Sequence, residues 1–183
     1  MSVSCSAHQV SLVLGGARSG KSAFAERLAL QHEQCVYLAT AEHIDQEMEQ
    51  RIASHRARRA GQQQGAPRWR TVEAPIELAA AIRREAAPQR CLLVDCLTVW
   101  LGNLMHHEQD IDSARAALLE SLAESVGPVV LVANEVGLGI VPDNAQARRF
   151  RDLAGLLNQA VAAIAGHVVF LAAGLPMVLK NTE

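Results

Sequence analysis

The chain has 183 residues, half of them apolar and a fifth charged, the balance of a globular protein rather than a disordered one. A formal net charge of -2 and an aromatic content of 3% leave neither an electrostatic footprint nor a stacking platform for nucleic acid. Cys5, Cys35, Cys91 and Cys96 form no C-x-x-C pair, which argues against a zinc or disulfide framework, and the last three lie in or beside apolar runs where reduced thiols pack.

In chain order, Met1 to Gln9 lack a basic region followed by a long apolar stretch and are expected to be a loose extension, not a secretory signal. Val10 to Leu14 is a short buried strand, followed by a Gly-rich loop and a helix from about Lys21 to Gln31. Cys35 to Ala39 is the next strand and Asp45 to Ala60 the next helix. After a loop over Gly61 to Pro67 comes a short strand at Trp69 to Val72, and Pro75 opens a helix reaching about Ala87. Cys91 to Val94, Val129 to Ala133 and Val168 to Ala172 are further apolar runs, with helical segments at Ser113 to Val126 and Ala145 to Ala165 between them. No run of about 18 apolar residues occurs, so no membrane span is expected and the chain reads as cytoplasmic.

Strands separated by helices imply parallel pairing with right-handed crossovers. The expected fold is therefore three-layer α/β, a mostly parallel sheet flanked by helices, as one domain over the whole chain. Ligands bind such sheets beyond the carboxyl ends of the strands. That rule singles out Gly15 to Ser22, Thr40 and Ala41, Glu73, Asp95, and Asn134 to Gly139.

Gly15-Gly16-Ala17-Arg18-Ser19-Gly20-Lys21-Ser22 matches G-x-x-x-x-G-K-S in full. Glycines let the backbone curl so that its N–H groups face phosphate oxygens; Lys21 adds a charge near the β- and γ-phosphates, and the Ser22 hydroxyl suits magnesium. A chance Gly-rich turn would not need an apolar strand before it and a helix after it. The pattern thus points to a P-loop NTPase fold of the RecA-like kind. Asp95, closing Cys91 to Val94, fits the magnesium-side acid; the bland alternative is a strand-end acid or helix cap, and Glu135 is the rival acid. No N-K-x-D guanine signature appears, which disfavours a regulatory GTPase.

Between Ile44 and Arg59, residues Ile44, Met48, Arg51, Ile52, His55, Arg58 and Arg59 fall within about a 100° arc of a helix. The first half of that stripe is apolar and the second cationic. Either His55 packs beneath the helix while the arginines reach to water, or the helix presents His55 and forked guanidinium donors to a phosphate. His43 competes with it; His106-His107, before Glu108 and Asp110, reads as a solvated turn.

The runs Leu14 to Ser22, Tyr37-Leu38-Ala39-Thr40-Ala41, Asp45-Gln46-Glu47-Met48, Arg51-Ile52 with His55, and Trp69 to Glu73 together resemble the bifunctional adenosylcobinamide kinase/adenosylcobinamide-phosphate guanylyltransferase family of cobalamin biosynthesis. So do Asn134 to Pro142 and Arg148 to Gly155, in the same order and spacing. The resemblance implies phosphorylation of adenosylcobinamide by ATP or GTP, then transfer of GMP from GTP through a GMP-histidine. His55 occupies that motif position, with Lys21 as the second catalytic group. Nucleotide contacts carry over to Gly15, Gly16, Ala17, Arg18, Ser19, Gly20, Lys21 and Ser22, to Ala39, Thr40 and Ala41, and to Arg56, Ala57, Arg58 and Arg59. The acids Glu73 and Asp95 belong to the same set, with Ser22 and Asp95 toward Mg2+. Two departures occur: Ser54 stands where members often carry a second histidine, and Arg56-Ala57-Arg58-Arg59 replaces a Lys-Asp-Gly-Arg type run. Family trimers imply a homo-oligomer. Rival readings are a monofunctional small-molecule kinase in which His55 packs, and a nucleotide-binding regulatory module.

Overall fold

The computed structural model describes residues 9–42 and 69–182. Seven strands form one sheet: β1 (Val10–Gly15), β2 (Gln34–Ala39), β3 (Trp69–Glu73), β4 (Arg90–Asp95), β5 (Val129–Asn134), β6 (His167–Ala172) and β7 (Leu175–Asn181). The helices are α1 (Lys21–Ala29), α2 (Leu78–Glu85), α3 (Leu97–His106), α4 (Ile111–Ala123) and α5 (Ala145–Ile164). Sheet order is β3-β2-β4-β5-β1-β6-β7, parallel throughout except for the antiparallel pair β6 and β7. The expected three-layer α/β fold with a mostly parallel sheet is therefore present. The helix expected over Asp45 to Ala60, the loop to Pro67 and the N-terminal extension to His8 lie outside the described residues.

The central strands are apolar on both faces, as strands covered by helices on both sides must be. Alternation along each strand sorts the residues into two cores. Leu12, Leu14, Val36, Leu38, Leu92, Val94 and Leu131 face α2 to α5, where Leu78, Ile82, Trp100, Leu104, Leu118, Leu157 and Val161 meet them. Val13, Tyr37, Cys91, Leu93, Val130, Val132 and Val169 face α1 through Ala25 and Ala29. Two elements were not anticipated: α3 follows β4 directly, and β7 returns alongside β6 as an edge strand.

The edge strand β3 is tied to α2 by charge. Arg70 hydrogen-bonds the Glu85 carboxylate, with Arg84 at 3.3 Å and Arg90 at 3.7 Å from it. Glu85 is buried, and chiefly the Arg70 hydrogen bond holds its carboxyl below the usual carboxylate range. A carboxyl whose pKa is depressed by folding stabilises the protein above its unfolded pKa, and the contribution is lost as pH falls through the folded value. Glu85→Gln should therefore cost about 1 kcal/mol at neutral pH, with the gap to the parent closing as pH falls below the ordinary carboxylate range. Thermal unfolding of both proteins across that range checks it; a gap that stays constant would remove the linkage.

Candidate active site

β1 ends at Gly15 and α1 begins at Lys21, so the intervening residues form the loop at the carboxyl edge of the sheet. A Cβ on Gly15 would lie 2.5 Å from Ser19 Oγ and 2.7 Å from the Leu171 carbonyl oxygen, so only glycine fits. Gly20, with φ of 93°, caps α1 in the left-handed region that glycine alone adopts freely. No side chain caps α1 and no acid lies in its first turn. Its first N–H groups and the positive end of its dipole are thus suited to an anion.

The loop is buttressed by the unanticipated hairpin. Ala173 and Gly174, with φ of 52° and 80°, make the two-residue turn between β6 and β7. The Gly174 N–H donates to the Ser19 carbonyl at 2.9 Å, and a Cβ on Gly20 would come within 3.3 Å of Gly174 Cα. Inside the loop, Lys21 is only 6% exposed and its Nζ donates to the Gly16 carbonyl at 3.1 Å. Ser22 is half-buried, while Ala17 and Arg18 are exposed. Ser19 Oγ and Asn134 Oδ1 are buried with no hydrogen-bond partner among the described residues. Asn134 pairs in register with Gly15, so both orphaned atoms belong to the loop's surroundings. Buried polar atoms are nearly always satisfied, and a bound ligand or its waters would satisfy these.

Register brings the two acids to the same edge. Ala39 pairs with Glu73 on one side and Asp95 on the other, and β5 separates Asp95 from the phosphate loop. Asp95 is half-buried, and Tyr37 Oη donates to its Oδ2 at 3.1 Å; Glu73 is exposed. The rival acid Glu135 faces its own loop, where its carboxylate accepts the Gly137 N–H while its backbone N–H donates to the Gly15 carbonyl at 3.1 Å. Thr40 is fully buried, and its hydroxyl is engaged by the Cys96 backbone; Ala41 is half-buried beside it.

His106, expected in a solvated turn, is instead the last residue of α3; His107 follows it, both rings remain exposed, and His107 Nε2 lies 3.0 Å from Glu42 Oε1. Cys35, Cys91 and Cys96 are free and buried, as expected. Burial pushes the Cys91 thiol up to about 12 and, with the Asp95 charge adding to it, that of Cys96 up to about 11. Both stay protonated at neutral pH and serve as packing groups, not nucleophiles. His55, Arg56, Ala57, Arg58, Arg59 and His43 lie outside the described residues.

A glycine loop between β1 and α1, with an acid ending β4 and β5 lying between the two strands, defines a P-loop NTPase domain. Its fold is similar to that of the ATPase EscN of the type III secretion system of enteropathogenic E. coli, with a TM-score of 0.57 at 12% identity over 91% of this chain and 43% of that one. The RadB recombinase is similar at a TM-score of 0.50 and 12% identity, over 88% of this chain and 73% of that one. At the level of sequence, the family described as "Cobinamide kinase / cobinamide phosphate guanyltransferase" matches residues 11–179. A relative named bifunctional adenosylcobalamin biosynthesis protein CobP, from Pseudomonas aeruginosa, is 54% identical over 173 residues, 93% of this chain and 96% of that protein. The bifunctional adenosylcobalamin biosynthesis protein CobU of Escherichia coli K12 is 38% identical over 185 residues, 92% and 98% of the two chains. The chain belongs to this cobinamide kinase/cobinamide phosphate guanylyltransferase family.

Proposed function

We propose that the chain catalyses both reactions of its family in one site: phosphorylation of adenosylcobinamide by ATP or GTP, and transfer of GMP from GTP to the resulting phosphate. The observation that carries this reading is the match over residues 11–179, joined to a complete phosphate loop at the end of β1. In the first step the hydroxyl of the substrate's aminopropanol arm attacks the γ-phosphorus, and a nucleoside diphosphate leaves. In the second, a neutral His55 nitrogen attacks the α-phosphorus of GTP; a P–N bond forms and the bond to pyrophosphate breaks. The substrate phosphate then attacks that phosphorus, releasing His55 and giving adenosylcobinamide-GDP.

The chain's own residues divide this work. Backbone N–H groups of the loop and the start of α1 hold the phosphates, and Lys21 offsets the charge that builds on the departing group. Arg56, Arg58 and Arg59 are assigned to the same nucleotide, with Ala39, Thr40, Ala41 and Glu73 at the edge of its site. Ser22 and Asp95 are oxygen donors of the hard type that Mg2+ prefers, and no cluster of three His, Cys, Asp or Glu side chains that would cage an ion occurs among the described residues. That combination suits an ion carried largely by the nucleotide's own phosphates. When bound, magnesium would supply charge neutralisation at the transferring and leaving phosphates.

A homo-oligomer, a trimer in the family's manner, belongs to the same reading. Leu138, Ile140 and Val141 are 82%, 98% and 60% exposed, and Leu175, Met177, Val178 and Leu179 of β7 are also exposed, an apolar surface that assembly would cover. We assign the reactions to the cytoplasm; no described helix is long and apolar enough to cross a membrane.

The test of the reading uses GTP labelled at the α-phosphate. Incubation with magnesium should leave label on the protein that survives base and is lost in acid, as a phosphoramidate requires, and adding adenosylcobinamide-phosphate should discharge it. Product phosphorylation without label on the chain would leave a monofunctional kinase; neither activity would leave a binding module.

A further inference from the structure

Asp95 is held from β2 at both its side chain and its backbone. Tyr37 Oη donates to its carboxylate at 3.1 Å, and the Thr40 N–H lies 3.4 Å from its carbonyl oxygen. One residue on, the Thr40 hydroxyl accepts the Cys96 N–H at 2.7 Å and donates to the Cys96 carbonyl at 2.9 Å. That single hydroxyl continues the β2–β4 ladder past its last register pair, Ala39 with Asp95. Thr40 is itself fixed from α3, where Asn103 Nδ2 donates to the Thr40 carbonyl at 2.7 Å and to the Pro75 carbonyl at 3.0 Å. Thr40 is 0% and Asn103 5% exposed. With its hydroxyl proton and one acceptor position engaged by Cys96 and no surface exposed, Thr40 presents no side-chain atom to solvent.

We propose that Thr40 and Asn103 are positioning residues, a buried clamp that locks the end of β2 to the end of β4 and so fixes where Asp95 presents its carboxylate to the nucleotide. The function of the clamp rests on Asp95 as the magnesium-side acid. Losing the Thr40 hydroxyl removes the acceptor of the buried Cys96 N–H, while the Cys96 carbonyl keeps the Trp100 N–H at 3.1 Å, and the strand end beyond Asp95 shifts or admits water to satisfy that N–H. A group that need only move by fractions of an ångström to lose a metal contact is sensitive to such a shift.

The experiment measures GTP affinity by calorimetry, once with Mg2+ and once with EDTA, and takes the ratio of the two dissociation constants. Four full-length variants are compared with the parent: Thr40→Val, Thr40→Ser, Asp95→Asn and Ser121→Ala. Asp95→Asn and Thr40→Val should each collapse the magnesium ratio by about tenfold, while Thr40→Ser, which keeps the hydroxyl, should retain it. Ser121, a buried hydroxyl bonded to the Leu118 carbonyl at 2.7 Å on α4, should lose stability as alanine and leave the ratio alone. A Thr40→Val ratio equal to the parent's, with Asp95→Asn collapsed, overturns the clamp. So does a Thr40→Ser ratio as low as that of Thr40→Val, since the methyl group and not the hydroxyl would then matter. A shifted ratio in Ser121→Ala overturns it as well, because general loosening would explain the effect. If Asp95→Asn keeps the parent ratio, the reading of Asp95 fails and the clamp's function falls with it. Should Thr40→Val not fold, Asn103→Ser decides: the clamp requires its ratio to drop in the same direction, and an unchanged ratio overturns the proposal.

Discussion

Lys21→Ala is expected to slow the kinase step and the guanylyl transfer alike, each by on the order of 10²–10³. Both reactions cleave a phosphoanhydride, and in both the negative charge on the leaving phosphates grows as the bond breaks. A preorganised ammonium that meets that charge acts more strongly in the transition state than in the ground state, so the loss should fall on turnover more than on nucleotide affinity. The structure explains why the group is preorganised. Lys21 is the first residue of α1, is 6% exposed, and keeps its Nζ on the Gly16 carbonyl across the loop, a short move from any phosphate seated there. Alanine is a strong helix former at that position, and the close approaches at Gly15 and Gly20 and the Gly174 buttress are left in place by the change. Folding should therefore survive, which circular dichroism and thermal unfolding would establish. Steady-state assays of both products, with each substrate varied, provide the readout. Full rates of either reaction in the variant would mean that the two chemistries do not share this loop.

How much of this was legible in the sequence depended on whether the signal was local. The phosphate loop is local, and eight consecutive residues with a strand before and a helix after left little freedom. Asp95 was equally accessible, because an apolar run closing on an acid reads the same in sequence and in the sheet. Helix α3 was not. Leu97-Thr98-Val99-Trp100-Leu101 is largely apolar and shows no polar face, since the polar groups along α3 before His106 turn inward: Thr98 accepts the Asn134 N–H at 2.7 Å, Trp100 donates to the Ile76 carbonyl at 2.8 Å, and Asn103 reaches Thr40 and Pro75. Amphipathicity cannot announce a helix whose polar groups are themselves buried. Strand β7 hid for the opposite reason. Leu175 to Leu179 are all exposed, so no alternation exists to be found, and Pro176 argues against any but an edge strand. Only Ala173-Gly174 hinted at the turn, and its role as the backing of the phosphate loop is a contact across more than 150 residues of chain. Thr40 shows the limit in miniature. Its position after β2 marked it for the nucleotide site, and nothing in the sequence signals that its hydroxyl also bonds the Cys96 backbone.

His55→Asn is expected to separate the two activities. The substitution keeps a polar side chain of modest size, so the phosphate loop and the β4 acid, which are built from other elements, should be unaffected. Asparagine cannot form a stable phosphoramidate, so covalent GMP loading and adenosylcobinamide-GDP formation should both vanish. The kinase step uses the substrate's own hydroxyl as nucleophile and should persist at a reduced but measurable rate. Attack on the α-phosphorus requires a neutral imidazole, and an unperturbed imidazole titrates near ~6.5. In the parent, then, GMP loading should decline as pH falls through that range, because protonation removes the attacking lone pair, and the kinase step should not follow the same profile. Thin-layer separation of both products and counting of α-label on the chain, run side by side in parent and variant, provide the measurement. Undiminished label in the variant would move the nucleophile elsewhere, with His43 the first residue to replace. Loss of the kinase step together with the transfer, in a protein that still folds and binds nucleotide, would mean that His55 serves both reactions, and the division of labour between hydroxyl and histidine nucleophiles would have to be abandoned.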